Sequence, residues 1–268
     1  MPLALATLGL PGLPLDRAAA LAAEHGWRGL ELRCAPDQPV RLGLDAADRR
    51  AAARQLSAAG VLPLTLASYT GVAAPGPDAP VLAELTAHLR LAADLGCRHL
   101  RVFPHGGPGP AAEADDRAVR RLTAAAPRAA ALGVRILVET HDSHRAGGAL
   151  APLLRRVGHP AVGALWDLLH TWLAGETPEQ IHRALGPYLG YAQVKDVASA
   201  DDLTPLPLGA GVLPIADCVR LLGPDAWVAW EYEAPWHPAA APLAPRLGDG
   251  ARYLAGAVPG GRAGDARP

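Results

Sequence analysis

Four ionisable side chains, Glu139, His141, Asp142 and His144, fall within six residues of "VETHDSH" (138–144), directly behind the apolar run "VRIL". Carboxylates and imidazoles so close can hold a cation, shuttle protons or orient substrate hydroxyls. Three later segments repeat the theme of an apolar run ending in polar groups. They are "LWDLLH" with Asp167 and His170, "YAQVKD" with Gln193 and Lys195, and "WVAWEYE" with Glu231 and Glu233. Glu139, Asp167, Gln193 and Glu231 are all oxygen donors, and three carboxylates brought to one point repel unless a cation sits among them. An oxygen-rich set of this kind suits one Mn2+ or Mg2+, with Co2+ or Zn2+ as further candidates; the lack of thiolate ligands disfavours structural zinc. Each residue also has an ordinary reading. A lone Glu at a strand end is commonly a solvated cap, His170 could cap the following helix, and His144 reads best as a loop histidine.

The elements that would position these groups recur at a regular beat. Strand-type runs occupy 3–8, 29–33, 62–68, 99–103, 134–139, 162–167, 191–195 and 227–231. Most are continuously apolar, as expected of parallel strands covered on both faces. Between them lie Ala-, Leu- and Arg-rich segments of helical type, such as 15–26, 45–60 and 79–96, several ending in glycine (Gly26, Gly60, Gly96, Gly133). Strand starts fall roughly 25 to 38 residues apart, one strand plus one helix. Eight such units close into a single (β/α)8 TIM barrel over residues 1–257, leaving 258–268 as an expected disordered tail. A doubly wound sheet is the competitor, but "TLGLPGLP" (7–14) lacks its GxGxxG turn.

Composition narrows the function classes. The 268 residues carry a formal net charge of −1, which offers no basic face for nucleic acid. The first residues, "MPLALATLGLPGLPLDR", lack a basic leader and break their apolar run with Pro and Gly, so neither a signal peptide nor a membrane span is expected. Cys34, Cys97 and Cys218 are scattered, without CxxC, which points to a reducing, cytoplasmic setting. The chain has no Asn and a single lysine, Lys195, in a composition where Arg has otherwise replaced Lys.

In these segments the chain resembles the xylose-isomerase-like TIM-barrel superfamily of sugar isomerases and epimerases (the AP-endonuclease-2-like family). The resemblance covers roughly residues 3–256. It rests on "GWRGLELR", "ILVETH", "LWDLLH", "YAQVKD", "LGAG" (208–211) and "WVAWEYE". It implies a divalent-metal site of Glu139, Asp167, Gln193 and Glu231, with His170 of the Asp-x-x-His contacting substrate oxygens. It also implies a homodimer or homotetramer. The family usually has His where this chain has Gln193; the hydroxypyruvate-isomerase-like branch is similar to this chain in using Gln there. The Arg often found after the seventh strand is absent, and Ala210 stands where the family often has Glu, so familiar substrates need not carry over.

The chemistry implied is proton transfer beside a carbonyl through an enediolate stabilised by the metal. Glu139 and Glu231 are the candidate acid and base. His141, His170, Lys195, His105 and Trp230 are candidate contacts to a small sugar or polyol substrate, with Trp166 and Trp236 as further walls. Asp142 and Ser143 would order the loop or orient its histidines, and Lys195 could instead pair with Asp196 or Glu233. A dehydratase or lyase acting on a polyol ketone or keto-glycoside would use the same site. A Schiff-base aldolase would need Lys195 with a depressed pKa. A DNA-repair endonuclease would need more histidine ligands and a basic face. A non-catalytic metal-binding barrel serving as a subunit of a larger assembly stays open.

Overall fold

The structure, a computed structural model, describes residues 1–258. The expected tail falls, apart from Val258, outside the described residues. All eight expected strands are present. They are β1 (Leu3–Ala6), β2 (Gly29–Arg33), β3 (Leu62–Gly71), β4 (His99–Phe103), β5 (Arg135–Glu139), β6 (Val162–Asp167) and β7 (Leu189–Val194), followed, after a small ribbon of β8 (Asp196–Val197) and β9 (Pro205–Leu206), by β10 (Val228–Trp230). Neighbouring barrel strands pair in parallel, and β1 pairs with β10, Leu3 opposite Val228, to close the ring. Lys195 and Glu231 are therefore the first residues beyond their strands.

Helices α1 (Leu15–Glu24), α2 (Ala46–Ala58), α3 (Asp78–Leu95), α4 (Ala111–Ala131), α5 (Gly147–Val157), α6 (Leu168–Leu173), α7 (Pro178–Leu185), α8 (Ile215–Leu222) and α9 (Leu247–Ala257) flank the barrel. The glycine stops behave as read: Gly96 caps α3 at φ 77°, where a side chain would strain the backbone. Among the described residues no helix is long and apolar enough to cross a membrane.

Two apolar layers result from the alternation of side chains along a strand. Ala4, Leu64, Leu137, Leu165, Tyr191 and Ala229 fill the barrel interior. A larger core lies between strands and helices. That alternation corrects one expectation. Ala229 points inward, so Trp230 must point outward; it is fully buried, 5.7 Å from Trp27 and 5.9 Å from Tyr232. Trp230 is a core residue that does not wall the site. The same holds for Trp166, also fully buried, whose indole N–H donates to Thr171.

The ribbon was not foreseen in the sequence. Its organiser is Asp196, whose carboxylate accepts from the backbone N–H groups of Gly209 and Gly211 at 2.9 Å and Leu213 at 3.2 Å. With the Val197 N–H at 3.1 Å, four backbone donors claim this acid, so it is not the partner of Lys195. On the opposite side, buried Arg121 of α4 donates to the carbonyls of Val72, Ala74 and Gly76, fixing the loop after β3.

Candidate active site

Inward positions on the strands step from an apolar residue to a polar one two residues later: Leu137 to Glu139, Leu165 to Asp167, Tyr191 to Gln193, Ala229 to Glu231. The first of each pair belongs to the interior plug; the second is a buried polar group at the C-terminal end, where barrel chemistry is placed. β4 adds Arg101, opposite Leu137 and therefore also inward, and β2 adds Glu31.

The acids are crowded, and two cations sit among them. Lys195 Nζ lies 2.9 Å from Asp167 Oδ2, donates to Glu233 Oε1 at 2.7 Å and bonds Glu231 Oε2. Arg101 Nε is 3.3 Å from Glu139 Oε2, but off hydrogen-bond geometry. Burial lifts the Glu231 carboxyl to about 8 against the pull of Lys195. Burial also lifts Glu139 well above the usual range; Arg101 opposes this, while Glu231 and Asp167 add to it. For Asp167 burial is outweighed by Lys195 and His170, which hold it low. Burial likewise opposes charge on Lys195, but Asp167, Glu231, Glu233 and Glu139 raise it well above an ordinary lysine. A Schiff-base nucleophile needs the reverse shift, so the aldolase reading is set aside.

The donors fit a divalent cation. Gln193 Oε1 is buried without a partner, and the buried Glu139 Oε2 and Asp167 Oδ2 have a charge contact each, to Arg101 and Lys195, but no aligned hydrogen bond. Three such oxygens on three of the four expected ligands leave acceptor capacity that a cation would fill. Gln193 is held in this pose from behind: its amide nitrogen donates to Glu31 Oε1 at 2.6 Å, leaving the carbonyl oxygen free. Tyr191 O–H bonds the other oxygen of Glu31. Such supporting bonds are what orient a metal ligand. The fourth expected ligand, Glu231, is bonded to Lys195.

On the other side of Glu139 stand two imidazoles. Ligand atoms of Glu139, His141 and His170 lie within 4.8 Å of one another. Asp167 places His170 by capping α6, its Oδ1 accepting from the His170 backbone N–H at 3.1 Å. Burial lowers the His170 ring to about 4 and keeps it neutral. His141 packs edge-on against His170 at 4.1 Å and against Phe103 at 4.4 Å. Asp142 accepts from His141 Nδ1 at 3.0 Å, from the Ser143 N–H at 2.6 Å and from the His105 backbone N–H at 2.9 Å. Asp142 thus clamps the loops after β4 and β5 and turns His141 Nε2 away from itself. His144, after β5, is buried and turns its Nε2 to Asp115 of α4, 2.8 Å away, outside the Glu139 group. The His105 ring is 45% exposed and stacks on Phe103 at the rim, apart from the Glu139 group.

Glu139, Asp167, Gln193, Glu231, Lys195, His141 and His170 are thus brought to one end of the barrel. Sequence reasoning missed Arg101 and the holding role of Glu31. The signal for Arg101 was available: in "HLRVF" it shares a face with His99, and an arginine inside an otherwise apolar strand needs a partner.

Comparison with known proteins agrees with this architecture. A family model described as "Xylose isomerase-like TIM barrel" matches residues 19–256. Among solved structures, the IOLI protein with a bound zinc atom superposes with TM-score 0.79 at 17% identity, covering 98% of this chain and 100% of that one. The probable 3-DHS dehydratase AsbF from Bacillus anthracis gives 0.77 at 17%, covering 95% and 98%. D-psicose 3-epimerase, in the presence of D-fructose, gives 0.77 at 16%, covering 95% and 96%. At such identities the likeness concerns the fold alone. No curated protein sequence matches. By its family-model match over most of its length, the chain belongs to the xylose isomerase-like TIM barrels.

Proposed function

We propose that the protein is a divalent-metal-dependent isomerase or epimerase that moves a proton beside the carbonyl of a small sugar or polyol ketone. The observation that carries this reading is the convergence of buried oxygens on Glu139, Asp167 and Gln193 that lack an aligned hydrogen bond. A divalent ion, Mn2+ or Mg2+ first, held by these three and Glu231, would polarise the carbonyl and steady negative charge beside it. Glu231 and Glu139 form the acid–base pair: one carboxylate takes the proton from carbon and the other returns it, to the neighbouring carbon or the opposite face. His170, neutral through burial, and His141, fixed by Asp142, hold substrate hydroxyls. Lys195 keeps Asp167 and Glu233 ionised, since both lie low through its charge. The dimeric or tetrameric state, the single-domain span 1–257 and a cytoplasmic location belong to the same proposal.

One feature favours a second outcome on the same site. A carboxyl whose hold on its proton burial strengthens, as at Glu139, is suited to hand that proton to a departing hydroxyl, which makes elimination from a polyol ketone the alternative. The test is proton NMR of ketoses and cyclic polyol ketones incubated with the enzyme in D2O. Deuterium entering beside the carbonyl, without loss of water, is the expected result. Loss of water alongside exchange supports the lyase. No exchange with any ketone in the presence of added Mn2+ contradicts both.

A further inference from the structure

A groove of about 630 Å3 opens beside the acid cluster, lined largely by apolar surface that includes Cys34, Leu42 and Tyr69. It lies on the same end of the barrel, since Arg33 ends β2 and Tyr69 stands near the end of β3. Leu42, 37% exposed, and Tyr69, 39% exposed, line it, and Trp236, 54% exposed, stands beside it against Arg33. The Arg33 guanidinium packs against two of them, 5.6 Å from the Tyr69 ring and 5.3 Å from the Trp236 ring, and its Nε donates to Tyr69 Oη at 2.8 Å. The aromatic wall does not stop at the groove. Tyr69 lies 5.8 Å from Phe103, Phe103 4.4 Å from His141, and His141 4.1 Å from His170. One line of ring contacts therefore runs from the groove to the Glu139 group.

We infer that this groove is a substrate subsite for an aromatic ring, so that the substrate is a polyol ketone or keto-glycoside bearing such a ring, not a free small sugar. A volume of several hundred Å3 with mainly apolar lining and a few polar groups is typical of a ligand site. Guanidinium groups of Arg33 and Arg101 hold the Tyr69 ring rigid, and the ring surface and edges left exposed beside Leu42 offer another ring apolar contact. The charges lining the groove balance, Arg33 and Arg41 against Asp37 and Glu84, with Arg33 3.4 Å from Asp37. That balance suits an uncharged ring better than an ionic group. Placing the reacting carbons over Glu139 rests on the function proposed above; binding of the ring does not.

The test is a fluorine NMR titration of the full chain with 4-fluorophenol, free of any turnover. The expected result is saturable binding in roughly the millimolar range for so small a ligand. Trp236→Ala and Leu42→Asp, both at exposed positions, should each weaken binding about fivefold or more while the circular dichroism spectrum is kept. No saturation, or identical binding in both variants, overturns the subsite. So does concentration-dependent self-association that Leu42→Asp abolishes in the absence of phenol binding, which would assign the groove to a second copy of the chain. Failure of the isomerase reading would show separately, as absent solvent exchange with phenol binding intact.

Discussion

Two regions share the inside of one barrel and are built on opposite terms. The plug of Ala4, Leu64, Leu137, Leu165, Tyr191 and Ala229 gathers side chains that are apolar or nearly so. Two residues further along the strands, Glu139, Asp167, Gln193 and Glu231 are just as buried, yet three of them leave an oxygen without an aligned hydrogen bond. Burial of the first set drives folding at about 25 cal/mol per Å2. Burial of the second costs desolvation that Lys195 and Arg101 offset only in part. The plug is where stability comes from, and the strand ends are where stability is given up for chemistry.

Variants should separate the two. Glu139→Gln with Glu231→Gln should cost roughly 10²–10⁴-fold or more in turnover, the range for losing general acid–base catalysis. The same double variant should melt no lower than the parent after chelation, since it removes crowded acids. Leu165→Ala should do the opposite, losing about 2–5 kcal/mol of stability in denaturant unfolding while each folded molecule keeps its turnover. Lys195→Met comes next. It strips the shared cation from Asp167, Glu231 and Glu233 and should cost on the order of 3–5 kcal/mol, as breaking a buried ion pair does. Added Mn2+ should return part of that loss, and borohydride should trap no ketose on the parent enzyme.

A pH series gives a smaller effect. Glu231 is raised from 4.5 to about 8 in the folded chain, so the fold favours its neutral form. Its contribution is fully present below about 4.5 and is lost as pH rises through about 8, at roughly 1.4 kcal/mol for each pH unit crossed. Chelated protein should therefore lose melting temperature across that window, and Glu231→Gln should flatten the slope. The smallest expected change is from Trp230→Phe. It should lower the melting temperature slightly and leave turnover unaltered, because Trp230 faces the helices.

The sequence made the barrel legible because near-continuous apolar runs and glycine stops recur once per strand–helix unit. The four oxygen donors were legible because each closes such a run. Trp230 was misplaced because flanking Glu231 in sequence puts it on the opposite face of the strand, a consequence of two-residue alternation that the run alone hides. Arg101 and Glu31 escaped notice because their roles depend on partners 38 and 162 positions away, Glu139 and Gln193. The ribbon around Asp196 was hidden for a related reason: backbone N–H groups from a distant loop leave no trace in residue type.

The most direct measurement is the metal content of the purified protein by mass spectrometry, compared with the Glu139→Gln/Glu231→Gln variant. The converging buried oxygens predict about one divalent ion per chain in the parent and none in the variant. A parent that stays metal-free after reconstitution with Mn2+, Mg2+, Co2+ and Zn2+, or a variant that keeps its ion, would contradict the claim that these strand ends form a cation-holding active site.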